Sequence, residues 1–258
     1  MTVMASKTGF MDVLRSLWVY LFGVITMPLG FVGAVAVWLL TVLFDRRLVV
    51  LHLYSCFWAS WYTWISPFWK VKIMGKEKID RKEVYIMVSN HQSMLDILVL
   101  YRLFVHFKWV SKAELFRAPL AGWNMTLNRY IKLHRTSRTS IRRMMEDSRK
   151  TLESGSSVMI FPEGTRSTTG RVERFKEGAF RLAKDTGRPL LPIVLCCTGD
   201  ALPKHGFWVR GKHRMKVKIL DPVPPETFRD MTVDELTQYV HDLIAAEHDR
   251  MKKEVTGK

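Results

Sequence analysis

At 258 residues the chain can hold one large domain plus an appendage. Forty Lys and Arg against 24 Asp and Glu leave a formal charge of +16, which calls for anionic partners: nucleic acid, an acidic membrane surface, or acidic substrates and carrier proteins. Nine Trp and fourteen Phe exclude a disordered basic tail, and three cysteines (Cys56, Cys196, Cys197) make no disulfide framework. Adjacent Cys196 and Cys197 fall in an apolar run and read as small core residues, and a reducing compartment is the simpler assumption.

From Leu17 to Phe44 the chain carries no charge, enough for a helix of about 42 Å against the ~30 Å of a bilayer core. Ala34-Val35-Ala36 resembles a signal-peptide cleavage site, but the apolar run continues to Phe44, which favours a retained anchor. Pro28 and Gly30 are expected to break or bend this helix. A second apolar segment, Leu48 to Trp69, carries Phe57, Trp58, Trp61, Tyr62, Trp64, Phe68 and Trp69 over more than one face. Such rings concentrate at headgroup level. Residues 1–69 therefore read as a two-helix membrane-anchoring hairpin. Basic residues at its ends and its turn leave a true span and insertion into one leaflet both open.

Beyond residue 69 short apolar runs alternate with amphipathic ones. Strands are expected at Lys70–Met74, Val84–Val88, Phe107–Ser111, Tyr130–Leu133, Ser157–Phe161, Leu190–Cys196 and Met215–Leu220. Helices are expected at Ser93–Phe104, Thr139–Glu153, Gly178–Thr186 and Val233–Lys253. This alternation predicts an α/β unit over 70–258: a mixed, largely parallel sheet covered by helices. In such sheets sites gather where strand ends meet helix starts.

One such junction reads Asn90-His91-Gln92-Ser93-Met94-Leu95-Asp96. Within one helix, five positions turn His91 and Asp96 about 140° apart. With His91 in the turn and a helix starting near Ser93, Asp96 can reach back, fix one imidazole nitrogen and leave the other as a general base. The same residues also match a capping box, in which Asp96 only satisfies backbone donors. A second junction, Phe161-Pro162-Glu163-Gly164-Thr165-Arg166-Ser167, follows the strand Val158-Met159-Ile160. Pro162 ends ladder pairing, Gly164 permits a strained turn, and Arg166 suits bidentate capture of a phosphate; an ordinary surface turn with an internal Glu-Arg pair is the alternative. Lys176, in Phe175-Lys176-Glu177-Gly178, adds a cation before a helix, Arg135 ends the run Tyr130 to His134, and Pro192 in Leu191-Pro192-Ile193-Val194 suits an edge or a bulge.

These four blocks, in this order, resemble the glycerolipid acyltransferase superfamily, closest to the 1-acylglycerol-3-phosphate acyltransferases, over roughly Val84 to Val194. The family usually has glycine where Tyr130 stands and often aspartate where His134 stands, so only Arg135 of that block carries over. The resemblance implies acyl transfer from a thioester, of acyl carrier protein or coenzyme A, to the sn-2 hydroxyl of lysophosphatidate, giving phosphatidate. It implies His91 as base and Asp96 as its orienting acid, with Arg135, Glu163, Gly164 and Arg166 holding the glycerophosphate. Lys176 would add to that site, and Pro192 would shape the acyl side. No cofactor beyond the thioester co-substrate and no acyl-enzyme is required, and Ser93 reads as a cap rather than a nucleophile. Lys112, at a strand end, is an added candidate for oxyanion stabilisation. The remaining histidines show no partner spacing, and no metal-binding pattern is present. The expected location is the cytoplasmic face of the cell membrane, on an anionic lipid surface. Glycerol-3-phosphate or another lysophospholipid is the rival acceptor, and a non-catalytic basic membrane-binding protein is the rival of another class. Nucleic-acid binding has only the charge in its favour.

Overall fold

A helix of 32 residues, α1 (Phe10–Thr41), opens the computed structural model, which describes residues 9–134, 137–204, 208–209 and 211–256. Among the described residues it is the one helix long and apolar enough to cross a bilayer. Leu17, Leu21, Val24, Leu29, Val32, Leu39 and Leu40 form an exposed apolar stripe along it at mostly helical spacing. The expected break does not occur, for Pro28 lies inside a continuous helix. Gly30 and Gly33 have another use. A Cβ on Gly30 would fall 2.1 Å from the Trp58 ring, and one on Gly33 would fall 2.0 Å from the Tyr54 hydroxyl. Both rings belong to α2 (Val49–Trp64), so the glycines let the two helices approach, and the Tyr54 hydroxyl donates to the Gly30 carbonyl at 3.1 Å.

After α2 the chain alternates as expected. The elements are β1 (Trp69–Met74), β2 (Ile86–Ser89), α3 (Leu95–Tyr101), β3 (Phe107–Lys112), α4 (Ala121–Leu127), β4 (Ile131–Leu133), α5 (Arg138–Glu153) and β5 (Ser157–Ile160). Then come α6 (Gly178–Thr186), β6 (Leu190–Cys196), α7 (Thr198–Ala201), β7 (His213–Ile219), α8 (Pro225–Phe228) and α9 (Val233–Thr256). The strands form one mixed sheet in the order β1-β7-β6-β2-β5-β3-β4, parallel throughout except for β6 with β7. The central strands β2, β5 and β6 are buried along their whole length, the condition of parallel strands covered on both faces. One face packs on α2 and α3 through Met87, Trp109, Leu191 and Ile193. The other packs on α5, α6 and α9 through Val88, Val158, Ile160 and Val194.

Pro192 lies in the centre of the sheet rather than at an edge, and the other half of its expectation explains why it is tolerated. The antiparallel pairs Leu190–Val223 and Ile193–Ile219 enclose two residues on β6 but three on the other side, which is a bulge. The Pro192 carbonyl there accepts from the N–H of Leu220 at 3.0 Å, so the missing N–H falls where regular pairing is already interrupted.

The second N-terminal helix departs from the expected membrane hairpin. At 16 residues α2 is about 24 Å long, and Leu51, His52, Ser55, Cys56 and Ala59 are buried where it meets α3 and β1. It is a core helix on one side and the partner of α1 on the other. Cys56, Cys196 and Cys197 are all buried and form no disulfide. Gly30→Ala should lower stability by about 1–3 kcal/mol through overpacking against Trp58. Gly23→Ala, whose Cβ would meet only the Tyr62 ring at 3.9 Å, should be neutral or stabilising; unfolding midpoints in detergent check both.

Candidate active site

The loop after β2 is held by side chains that complete what its backbone leaves open. Where the backbone turns away from β6, the buried Asn90 amide continues the pairing: Nδ2 donates to the Leu195 carbonyl and Oδ1 accepts the Leu195 N–H, both at 2.8 Å. His91 follows at the strand end, and Asp96 sits in the first turn of α3. One oxygen of Asp96, Oδ2, accepts the ring N–H of His91 Nδ1 at 2.8 Å, the Gln92 N–H at 2.6 Å and the Ser93 N–H at 2.8 Å. Capping and pairing are thus the work of the same atom. Because a carboxylate oxygen only accepts, the imidazole carries its proton on Nδ1 and presents a lone pair on Nε2. The His91 ring stacks on Phe161 with centroids 4.0 Å apart and remains partly exposed. Ser93 Oγ donates to the Leu202 carbonyl at 2.7 Å and accepts the Leu95 N–H at 3.2 Å, which leaves it a loop brace rather than a nucleophile.

The turn after β5 lies against this loop. His91 N–H donates to Glu163 Oε1 at 2.7 Å, Ser167 N–H donates to the His91 carbonyl at 2.8 Å, and the Glu173 N–H meets Glu163 Oε2 at 3.2 Å. Gly164 adopts φ +71°, where a side chain would be strained, and Lys176 crosses close above it. Next to the dyad an apolar cavity of about 430 Å³ opens between α1, α2, α3 and α4, with Trp58, Met94, Leu95, Tyr101, Trp109 and Met125 among its walls. Phe161 stacks on both His91 and Trp109, which joins the base to the cavity wall.

A histidine held by a buried acid, a cation-bearing turn and an apolar cavity are parts that an acyltransferase could use. Comparison with known proteins agrees. The family described as Acyltransferase matches residues 70–196. A 1-acyl-sn-glycerol-3-phosphate acyltransferase of Saccharomyces cerevisiae is 33% identical over 83% of this chain and 70% of its own length. One from Chlamydomonas reinhardtii is 34% identical over 84% of this chain and 65% of its own length. The chain belongs to the 1-acyl-sn-glycerol-3-phosphate acyltransferase family. The crystal structure of the 1-acyl-sn-glycerophosphate (LPA) acyltransferase PlsC from Thermotoga maritima superposes with a TM-score of 0.76 at 26% identity, covering 93% of this chain and 95% of that one. The chain spans between 48% and 65% of the length of its algal and two chloroplast relatives.

Among the acyltransferase site residues read from the sequence, His91, Asp96, Glu163, Gly164, Arg166 and Lys176 come together, while Arg135 lies outside the described residues. Glu163 is turned inward rather than toward a substrate: it is buried and bonded to two backbone donors. Arg166 is half-buried, and among the described residues its side chain has no partner. Lys112 does not reach the dyad. It is exposed 3.7 Å from Glu114, and strand alternation sends it away from Trp109 and Ser111, which face the cavity. Alternation likewise places Pro192 with Val194 on the opposite face of the sheet from that cavity. Sequence reasoning missed Lys204, whose amine donates to the Arg166 carbonyl at 2.7 Å and to Thr165 Oγ1 at 3.2 Å; an isolated lysine in a loop gives no pattern to find.

Burial, helped by the nearby Glu173 and Asp96 carboxylates and opposed by the two backbone donors, pushes the Glu163 carboxyl up to about 8. A group that binds its proton more tightly when folded confers stability that is complete below its unfolded pKa and is lost as pH rises through the folded one. Wild-type stability should therefore decline between about pH 5 and 9, and Glu163→Gln should flatten that decline. Thermal melts across this range check it, and parallel curves for the two proteins would refute the assignment.

Proposed function

We propose that the chain transfers an acyl group from a thioester, carried by acyl carrier protein or coenzyme A, to the sn-2 hydroxyl of 1-acylglycerol-3-phosphate. The observation that carries this reading is the His91–Asp96 pair, with a free Nε2, set between an apolar cavity and the turn bearing Arg166. His91 Nε2 takes the hydroxyl proton as that oxygen attacks the thioester carbonyl. Asp96 steadies the imidazolium that forms. The tetrahedral adduct collapses by expelling the thiolate, which recovers the proton from His91. Free enzyme results after each turnover, with no acyl-enzyme.

Arg166, with Lys176 and Lys204 on either side of the same turn, supplies positive charge for the acceptor phosphate. Glu163 acts beneath this surface by fixing the His91 backbone to the turn that carries the cations. The cavity takes the acyl chain, since a methylene chain gains about 0.8 kcal/mol per buried CH₂ and the walls offer little else.

The exposed stripe on α1, with Val24 about 71% and Leu40 about 76% exposed, fits a membrane location on the cytoplasmic face, where water-borne acyl donors meet a lipid acceptor. The two N-terminal helices do not act alike in this reading. α1 meets lipid, and α2 ties it to the catalytic unit.

Purified protein should consume acyl thioester with lysophosphatidate in preference to glycerol-3-phosphate or a neutral lysophospholipid. His91→Ala should lower turnover by about 10²–10⁴-fold. Arg166→Ala should act mainly on KM for the phosphorylated acceptor. Replacing Val24, Leu39 and Leu40 together by serine should release the protein from membranes and lower its activity on bilayer-embedded acceptor, with activity on a short-chain soluble acceptor retained. Wild-type turnover in His91→Ala would overturn the mechanism.

A further inference from the structure

The C-terminal helix α9 lies outside residues 70–196 that match the family, yet it reaches the loop that carries the base. Its inward face carries Leu236, Val240, Ile244 and Met251 together with the polar Thr237 and His248, and His248 is the more deeply buried of these two at 1% exposed. A histidine on an apolar stripe costs desolvation unless its nitrogens are bonded. The His248 Nε2 lies 2.8 Å from the side-chain Nε2 of Gln92, itself buried. An amide NH₂ only donates, so His248 Nε2 must supply a lone pair. The ring proton is then on Nδ1, which faces Asp249 Oδ1 at 3.4 Å.

Gln92 stands between His91 and Ser93, and its backbone N–H is one of the three donors to Asp96 Oδ2. Its Cβ also lies 3.4 Å from where a side chain on Gly199 of α7 would begin. A contact on its amide is therefore a contact on the loop that sets the His91–Asp96 geometry. We propose that His248 is a positioning residue for acyl transfer: its neutral imidazole, presented by α9, holds Gln92 and through it the catalytic pair. This rests on the reading of His91 as general base.

The charged groups acting on His248 are Asp249 and Lys252 on its own helix and Asp200 on α7, with the uncharged Gln92 facing it from the loop. Burial is the largest influence and holds the imidazole below its ordinary range, so the ring stays neutral where the enzyme would work. Protonation in acid would put an N–H on Nε2 against the amide NH₂ and break the contact.

The test compares His248→Leu, which keeps bulk but removes the acceptor, with His248→Gln, which can return an oxygen near the Nε2 position. Turnover, KM for lysophosphatidate and for the thioester, and melting temperature are measured across pH, alongside His91→Ala. The expected result is a kcat loss of roughly 10- to 100-fold for His248→Leu at nearly unchanged KM, largely restored in His248→Gln. In acid, kcat should also fall more steeply for wild type than for His248→Gln. Equal kcat in the Leu and Gln variants, or a lowered melting temperature with wild-type kcat, would overturn the proposal. Should His248→Leu not fold, Gln92→Met removes the same contact from the other side and must reproduce the kcat loss; wild-type kcat there also overturns it. Activity surviving His91→Ala would sink the base assignment itself. An inactive His91→Ala beside a fully active His248→Leu would sink only the role of His248.

Discussion

One carboxylate oxygen organises this site. Asp96 Oδ2 accepts from His91 Nδ1 and from the backbone of Gln92 and Ser93, and the carboxylate itself is sealed from water. Hydrogen bonds to a charged group contribute about 1.5–3 kcal/mol each, and a buried carboxylate deprived of them would be worse than absent. The loop must therefore close around Asp96 in the one conformation that supplies all three donors. That conformation turns Nε2 of His91 outward. Capping the helix and orienting the imidazole are the same constraint, so weakening either weakens both.

The second motif depends on the first through sheet order. Residues 91 and 163 are far apart in sequence, but β2 pairs with β5, so their ends lie side by side. Across that gap run the His91 N–H to Glu163 and the Ser167 N–H to the His91 carbonyl. His91 is thereby bound at its backbone to the turn that carries Arg166. The two loops are thus held in register by one main-chain bond and one buried carboxylate. Stiffness of this kind keeps the groups of the two loops in a fixed register.

Much of this was legible in the sequence because the chemistry is local. Apolar runs marked all seven strands to within a few residues, and both loops announced themselves by histidine, proline, glycine and arginine at strand ends. What escaped depends on long-range packing. The helix Ala121–Leu127 is too short to show a period, and Lys108, in mid-strand, gives no signal of its burial. In the fold Lys108 is buried, donates to the Asn128 carbonyl at 2.7 Å and is pulled down to about 7 by desolvation. Glu163 read as a group facing substrate because sequence shows a turn but not which way its carboxylate points. His248 gave no signal, since its partner Gln92 lies 156 positions away.

The same reasoning reaches the N-terminal helices, where the change in sequence texture near residue 69 does not coincide with a change in packing. On α2, His52 Nε2 lies 3.0 Å from the Val105 carbonyl, so it must donate there, and Nδ1 must accept from the Tyr130 hydroxyl at 2.8 Å. Tyr130, its own proton used, then accepts from Tyr101 at 3.1 Å, and Tyr101 forms part of the cavity wall. Where the family usually has glycine, this chain has a tyrosine whose hydroxyl sits between the second helix and that wall. Each group left unpaired by removing α2 would cost about 1–3 kcal/mol, beyond the exposed apolar core beneath it. A helix bound in this way cannot be a detachable anchor. The contacts of α1 with α2 therefore connect it to the cavity walls rather than leaving it a separate unit.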